Sequence, residues 1–275
     1  MPQNSIKTIK KFKIAKKKFA TITAYDYTSA KIIDSLDIPL ILVGDSASMV
    51  VYGYNTTIPI TMEEMLFVVS AVSRGVTKAL VVADMPFMSY QSSIEKAIEN
   101  AGAFIKNAGA SAIKLEGGAE MSETISAIVN VGIPVVAHIG LTPQSFHQMS
   151  GYSIQGKTSK TAKKILSDAR AVEEAGAFAL VLEGIPSELA QKITSELSIP
   201  TIGIGAGPYC DGQIQVFHDI LGLFDTFVPK HAKQFAQISE IMMKAIKHYK
   251  DEVESGNFTI KAHYTSIDKS IIEKL

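Results

Sequence analysis

Eight short apolar runs, each followed by turn residues and then by a helix-like stretch, constrain this chain more than any other feature. The runs are Phe19–Ala24, Leu40–Val43, Leu80–Ala83, Ala112–Leu115, Pro134–Ala137, Ala179–Leu182, Thr201–Ile204 and Thr226–Val228. Each is apolar throughout rather than alternating, which is how parallel strands read when both faces are buried. The intervening stretches carry helical signals. Thr61-Met62-Glu63-Glu64 is a capping-box pattern ahead of Met65–Val69, and Ser92 and Glu95 repeat it before Ala97, Ile98 and Phe104. Further helices are expected near 121–129, 161–175, from Pro186-Ser187 onward, and near 235–249, where Ile238, Ile241, Met242, Ala245 and Ile246 share a face. Gly75, Gly109, Gly132 and Gly176 stand where left-handed helix caps belong.

Eight strands alternating with helices over 275 residues is the arithmetic of an α/β protein built as a single-domain (β/α)8 TIM barrel. An open doubly wound sheet would need a glycine-rich turn after its first strand, and here Tyr25-Asp26-Tyr27-Thr28 follows instead. The expected boundaries are a barrel over residues 1–255, with a short basic N-terminal arm, and a tail over 256–275. The tail has no long period and would cap the barrel or reach a neighbouring subunit.

Hydrophobic residues at 47% and charged ones at 20% exclude a disordered chain. Lys+Arg and Asp+Glu are 27 each, so the basic excess of a nucleic-acid binder is missing. Cys210 is the sole cysteine, which rules out an intramolecular disulfide and makes a reducing cytoplasm the expected compartment. The lysine-rich stretch 7–18 has no apolar block behind it, so it is expected to be a solvated arm rather than a signal peptide. No window approaches the roughly 18 apolar residues of a membrane span.

Barrel chemistry belongs at the C-terminal ends of the strands. Those ends carry Gly44-Asp45-Ser46, Asp84, Lys114 and Glu116, His138, Glu183-Gly184 and the segment Gly203–Gly207. Lys114-Leu115-Glu116 would turn both charged side chains to one face. Asp45, Asp84 and Glu116 would then crowd three carboxylates together, which calls for a cation or protons. An all-oxygen set favours Mg²⁺. The alternative for each acid is to cap the next helix. Glu183, between Leu182 and Ile185, would have its pKa raised toward that of a general base, or would sit at the N-terminus of the helix after it. His138 would bind substrate or act as a structural histidine. Gly203–Gly207 could cradle a phosphate, but a tight turn is the favoured reading. Histidines 147, 218, 231, 248 and 263 show no ligand spacing.

The order of several short stretches is more specific than any one of them. Thr23–Asp26, Val43–Ser46, Asp84–Phe87, Lys114–Gly118, Gly140–Gln144, Leu182-Glu183, Gly203–Gly207 and Cys210–Gln213 together resemble the ketopantoate hydroxymethyltransferase family over roughly residues 5 to 255. The resemblance implies a (β/α)8 barrel that transfers a hydroxymethyl group from 5,10-methylenetetrahydrofolate to 3-methyl-2-oxobutanoate, making ketopantoate for pantothenate biosynthesis. It implies one Mg²⁺ per subunit, held by Asp45 and Asp84, with Glu116 completing the set directly or through water. Ser46 and Lys114 would contact the 2-oxo acid, His138 would be a second contact, and Glu183 would be the base. Members are commonly cytoplasmic homodecamers of two pentameric rings. Two rivals stay open on the residues alone: a Mg²⁺-enolate lyase of the phosphoenolpyruvate/isocitrate lyase type, and a non-catalytic scaffold.

Overall fold

The computed structural model describes residues 4–149, 151, 153–223 and 229–275. Eight parallel strands close into a barrel in sequence order: β1 (Phe19–Thr23), β2 (Leu40–Val43), β3 (Leu80–Asp84), β4 (Ala112–Glu116), β5 (Val135–Gly140), β6 (Ala179–Glu183), β7 (Thr201–Ile204) and β8 (Gly212–Gln215). Seven strands lie where continuous apolar runs placed them, to within a few residues. The eighth does not. It is Gly212–Gln215, while the expected run Thr226–Val228 lies outside the described residues. The reason is visible in its burial. Gly212 and Ile214 are buried and the alternate Gln213 and Gln215 are not, so β8 alternates and never forms a continuous apolar run.

Alternation along the strands sorts the core into two layers. Leu40 and Leu42, Leu80 and Val82, Ala179 and Val181, and Ile202 and Ile204 pack together inside the barrel. Ile41 and Val43, Val81 and Ala83, Ile113 and Leu115, and Leu180 and Leu182 pack outward against the helices. The period of two then fixes the strand ends. Asp84 follows Val82 by two, Lys114 follows Ala112, His138 follows Val136 and Glu183 follows Val181, so all four belong to the inward set.

The lysine-rich N-terminus is not a free arm. It forms a helix, Ile6–Ile14, whose Ile9 is wholly buried in the inner cluster, with Ile6 and Phe12 packed beside it. Phe12 meets Phe19, the first residue of β1, at 5.0 Å between rings. The helix therefore closes the N-terminal floor, and its lysines point mostly to solvent, apart from Lys13, which pairs with Asp211 at 3.0 Å.

Helix starts follow their caps. Thr61 accepts from the Glu64 amide and Glu64 accepts from the Thr61 amide, opening Met62–Gly75. The next cap is Ser93, one residue later than expected, accepting from Lys96 ahead of Ile94–Lys106. Gly109, Gly132 and Gly176 have φ of 77°, 90° and 98°, as left-handed caps require. Gly75 is different: a Cβ there would stand 2.6 Å from the Tyr27 carbonyl, so it permits close helix approach. By compactness, residues 4–217 with 230–232 form the barrel unit, and 218–223, 229 and 233–275 form a second unit. The second unit's main element is the helix Ile238–Glu254, on which Ile241, Met242 and Ile246 are exposed.

Candidate active site

Strand register delivers the charged residues to one volume. Asp84 on β3 pairs with Lys114 on β4, and Glu116 on β4 pairs with His138 on β5. Glu183 ends β6 beside Gly140 of β5. The contacts run from strand to strand. The Asp45 amide donates to Asp84 Oδ2 at 3.1 Å, and Lys114 Nζ donates to Asp84 Oδ1 at 2.7 Å. Lys114 Nζ lies 3.7 Å from Glu116 Oε1. His138 Nδ1 is 3.4 Å from the same oxygen, and its Nε2 is 3.3 Å from Glu183 Oε2. Asp45, Asp84, Lys114, Glu116 and His138 are all at most 5% exposed, while Glu183 keeps 15% of its side chain open. Asp45, Ser46, Asp84, Lys114, Glu116, His138 and Glu183 thus gather at the C-terminal mouth.

Burial in such company moves the protons. Burial and the neighbouring Asp84 and Glu116 push Asp45 well above the usual carboxylate range, against Lys114 and a Gln144 hydrogen bond. Burial also raises Asp84, although Lys114 opposes it. For Glu116 burial acts upward too, but His138 and Lys114 outweigh it and hold the carboxyl low. Lys114 resists the desolvation that would neutralise it, because Asp84, Glu116 and Asp45 hold its proton. His138 behaves likewise: burial and Lys114 lower its pKa, and the two flanking glutamates overcome them and raise it to about 9. That direction favours the charged ring between Glu116 and Glu183, whose oxygens stand 3.4 and 3.3 Å from its nitrogens without hydrogen-bond geometry.

These residues fit a divalent cation. Four acidic side chains face Lys114 and His138, Glu116 Oε1 is buried with no hydrogen-bond partner, and the burial and acidic neighbours that push Asp45 upward are what a metal ion would relieve. Among the described residues no three His, Cys, Asp or Glu side chains are arranged as a complete ligand set. Mg²⁺ does not need one, since one or two carboxylates with water and substrate oxygens suffice.

Two polar residues outside the expected set shape the site. Tyr25, 4% exposed, shares a 2.8 Å hydrogen bond with Ser46 Oγ. Gln144, 3% exposed, donates from Nε2 to Asp45 Oδ2 at 2.9 Å and from its backbone to Glu116 Oε2 at 3.0 Å. Both lie in stretches that carry the family resemblance, but these contacts span 21 to 99 residues and leave no local pattern. The Gly203–Gly207 segment is a turn and a packing site. Gly205 and Gly207 have φ of 60° and 77°, a Cβ on Gly203 would stand 2.9 Å from Cys210 Sγ, and one on Gly207 would stand 2.4 Å from Ser187 Cβ. Cys210 itself is fully buried beside Gly203, unlike a cysteine carried on a mobile loop, and burial pushes its thiol up.

A closed parallel barrel with a buried, mixed-charge cluster at its C-terminal mouth defines a (β/α)8 barrel enzyme rather than a scaffold. Residues 3–261 match the family model for ketopantoate hydroxymethyltransferase. Proteins named 3-methyl-2-oxobutanoate hydroxymethyltransferase from Dehalococcoides mccartyi and Clostridium novyi are each 53% identical, covering 99% of this chain and 98% and 99% of those proteins. One of the same name from Syntrophomonas wolfei is 48% identical over the full length of both. The chain belongs to the ketopantoate hydroxymethyltransferase family and is a transferase. Solved structures share the fold at low identity. A phosphonopyruvate hydrolase aligns with TM-score 0.63 at 13% identity over 98% of this chain and 94% of its own. A 2,3-dimethylmalate lyase aligns at 0.58 and 16% over 98% and 97%.

Proposed function

We propose that this enzyme forms ketopantoate, moving a hydroxymethyl unit from 5,10-methylenetetrahydrofolate onto C3 of 3-methyl-2-oxobutanoate, as a step of pantothenate biosynthesis. The observation that carries the reading is the chain Asp84–Lys114–Glu116–His138–Glu183, which joins a cation-seeking pair of acids to a partly open carboxylate. The relatives' shared name supports it.

Asp45 and Asp84 would hold one Mg²⁺ per subunit, with Glu116 in reach directly or through water. When bound, the ion would supply Lewis-acid stabilisation to the keto and carboxylate oxygens of the 2-oxo acid. Ser46, oriented by Tyr25, and Lys114 would hold that acid, and Lys114 would balance negative charge developing on the keto oxygen. Glu183 would take the C3 proton, and the electrons of that C–H bond would become the enolate double bond. His138 would contact the substrate and hold the Glu183 carboxylate in line with it. Water would hydrolyse the two C–N bonds that hold the one-carbon unit, leaving tetrahydrofolate with its N–H protons and the carbon at the level of formaldehyde. The enolate carbon would attack that carbon to form the new C–C bond, and the C=O electron pair would take a proton to become the hydroxyl. Holding both reactants at the mouth provides the orientation.

The test is direct. Ketopantoate formation, followed by mass spectrometry, should require both Mg²⁺ and methylenetetrahydrofolate; turnover without the folate would instead indicate lyase chemistry. The exposed apolar residues of the helix Ile238–Glu254 support a homo-oligomer, with the family's decamer as the expected state and the cytoplasm as its compartment. Light scattering of the purified protein checks the first of these.

A further inference from the structure

Gln144 makes an unusual number of hydrogen bonds for a residue that carries no charge and is 3% exposed. Its Nε2 donates to Asp45 Oδ2 and to the Met85 carbonyl, both at 2.9 Å. Its Oε1 accepts from Tyr90 Oη at 2.7 Å and from Gln91 Nε2 at 3.2 Å. Its backbone N–H donates to Glu116 Oε2 at 3.0 Å. Both donors and both acceptor positions of the amide are in use. The orientation is consequently over-determined. Turning the amide over would set Oε1 against the Asp45 carboxylate and the Met85 carbonyl, oxygen against oxygen, and would put Nε2 against the Gln91 amino group.

Tyr90, 2% exposed, locks that choice. Its hydroxyl accepts from the Glu116 amide at 3.1 Å, and of its two acceptors the Gln144 oxygen at 2.7 Å is closer than the Glu116 carbonyl at 3.2 Å, which favours donation to Gln144. A single residue after β5 thereby ties together the ends of β2 and β3 through its side chain and the end of β4 through its backbone N–H. It engages one oxygen of Asp45 and one of Glu116, and it engages each as an acceptor.

We infer that Gln144, clamped by Tyr90, is a positioning residue that fixes the rotation of the Asp45 and Glu116 carboxylates, so that their remaining oxygens face the cation and the keto acid. This deepens the functional reading above and rests on it. Without the amide, Asp45 could swing toward Lys114, which would cost cation affinity before it cost the proton-transfer step.

Gln144→Met keeps the side-chain length and removes the amide. Tyr90→Phe leaves the amide and removes its shortest bond. Mn²⁺ binding followed by electron paramagnetic resonance with 3-methyl-2-oxobutanoate present, and KM and kcat for that acid, read the effect. Partners of this kind are worth about 10- to 100-fold in metal affinity. The expected result is Mn²⁺ binding weakened about tenfold or more in Gln144→Met, a raised KM, and a smaller shift of the same sign in Tyr90→Phe. Wild-type Mn²⁺ affinity and KM in a folded Gln144→Met would overturn the inference, whatever the melting temperature. If Gln144→Met does not fold, unchanged constants in Tyr90→Phe overturn it. Failure of the wild-type protein itself to bind Mn²⁺ with the keto acid would instead sink the functional reading.

Discussion

The two ends of the barrel are built from the same strands on opposite principles. At the floor, Ile9 of the helix Ile6–Ile14 and Phe19 of β1 join Leu40, Leu80 and Phe178 in an apolar plug. At the mouth, two or four residues beyond Leu80, Ala112, Val136 and Ala179 in the inward-facing rows, stand Asp84, Lys114, Glu116, His138 and Glu183. The floor gains from removing apolar surface from water. The mouth loses, because desolvating charges costs more than their pairing returns unless the geometry is good. Stability belongs to one end and chemistry to the other, and the mouth is tolerable because each charge touches an opposite one.

That contrast can be broken from either side. Asp84→Ala should have the largest effect, since it removes one partner of the buried Lys114 pair. Leaving a buried charge unpaired costs about 3–5 kcal/mol, and Mg²⁺ binding should fall about tenfold or more with it. Asp45→Ala should weaken the metal similarly. Denaturant melts and metal titration measure the two losses; unchanged Mg²⁺ dependence in both variants would remove these acids from the metal site. Ile9→Ala should cost about 2–5 kcal/mol by emptying the plug, while KM and kcat of the folded fraction stay as they were. A change in KM would mean that floor and mouth are coupled.

The last effect is one of pH. In the metal-free protein His138 has a pKa raised to about 9 by Glu116 and Glu183, against about 6.5 for an unfolded histidine. The folded state binds that proton more tightly, so the associated stability is fully present below about pH 6.5 and fades as pH rises through about 9. The gap in melting temperature between the wild type and His138→Gln should shrink over that window. A gap that does not change with pH would show the ring to be neutral.

Much of this was legible in the residues, and the exceptions have physical causes. β2 to β7 are apolar runs because both their faces are buried, whereas β1 leaves Ala20 exposed and Ile22 half-buried. β8 was misplaced because Gln213 and Gln215 face out, halving its signal. The N-terminal helix carried a signal that its lysines obscured: Ile6, Ile9 and Phe12 recur every three residues, which is one helical face. The mouth was legible because polar residues at the ends of apolar strands stand out, and parity then turns them inward. Gln144 and Tyr90 were not, since a buried amide bonded across loops looks, in sequence, like any surface glutamine. The favoured reading of Gly203–Gly207 as a tight turn fits the positive φ of Gly205 and Gly207 and the close approach of Cys210 to Gly203 and of Ser187 to Gly207.

Glu183 as the base that removes the C3 proton is the claim on which the mechanism turns. Exchange of that proton for solvent deuterium in 3-methyl-2-oxobutanoate, with Mg²⁺ and without folate, isolates the step. General bases contribute about 10²- to 10⁴-fold, so Glu183→Gln should bind the acid normally and exchange at least about a hundredfold more slowly. Exchange at the wild-type rate would contradict the account.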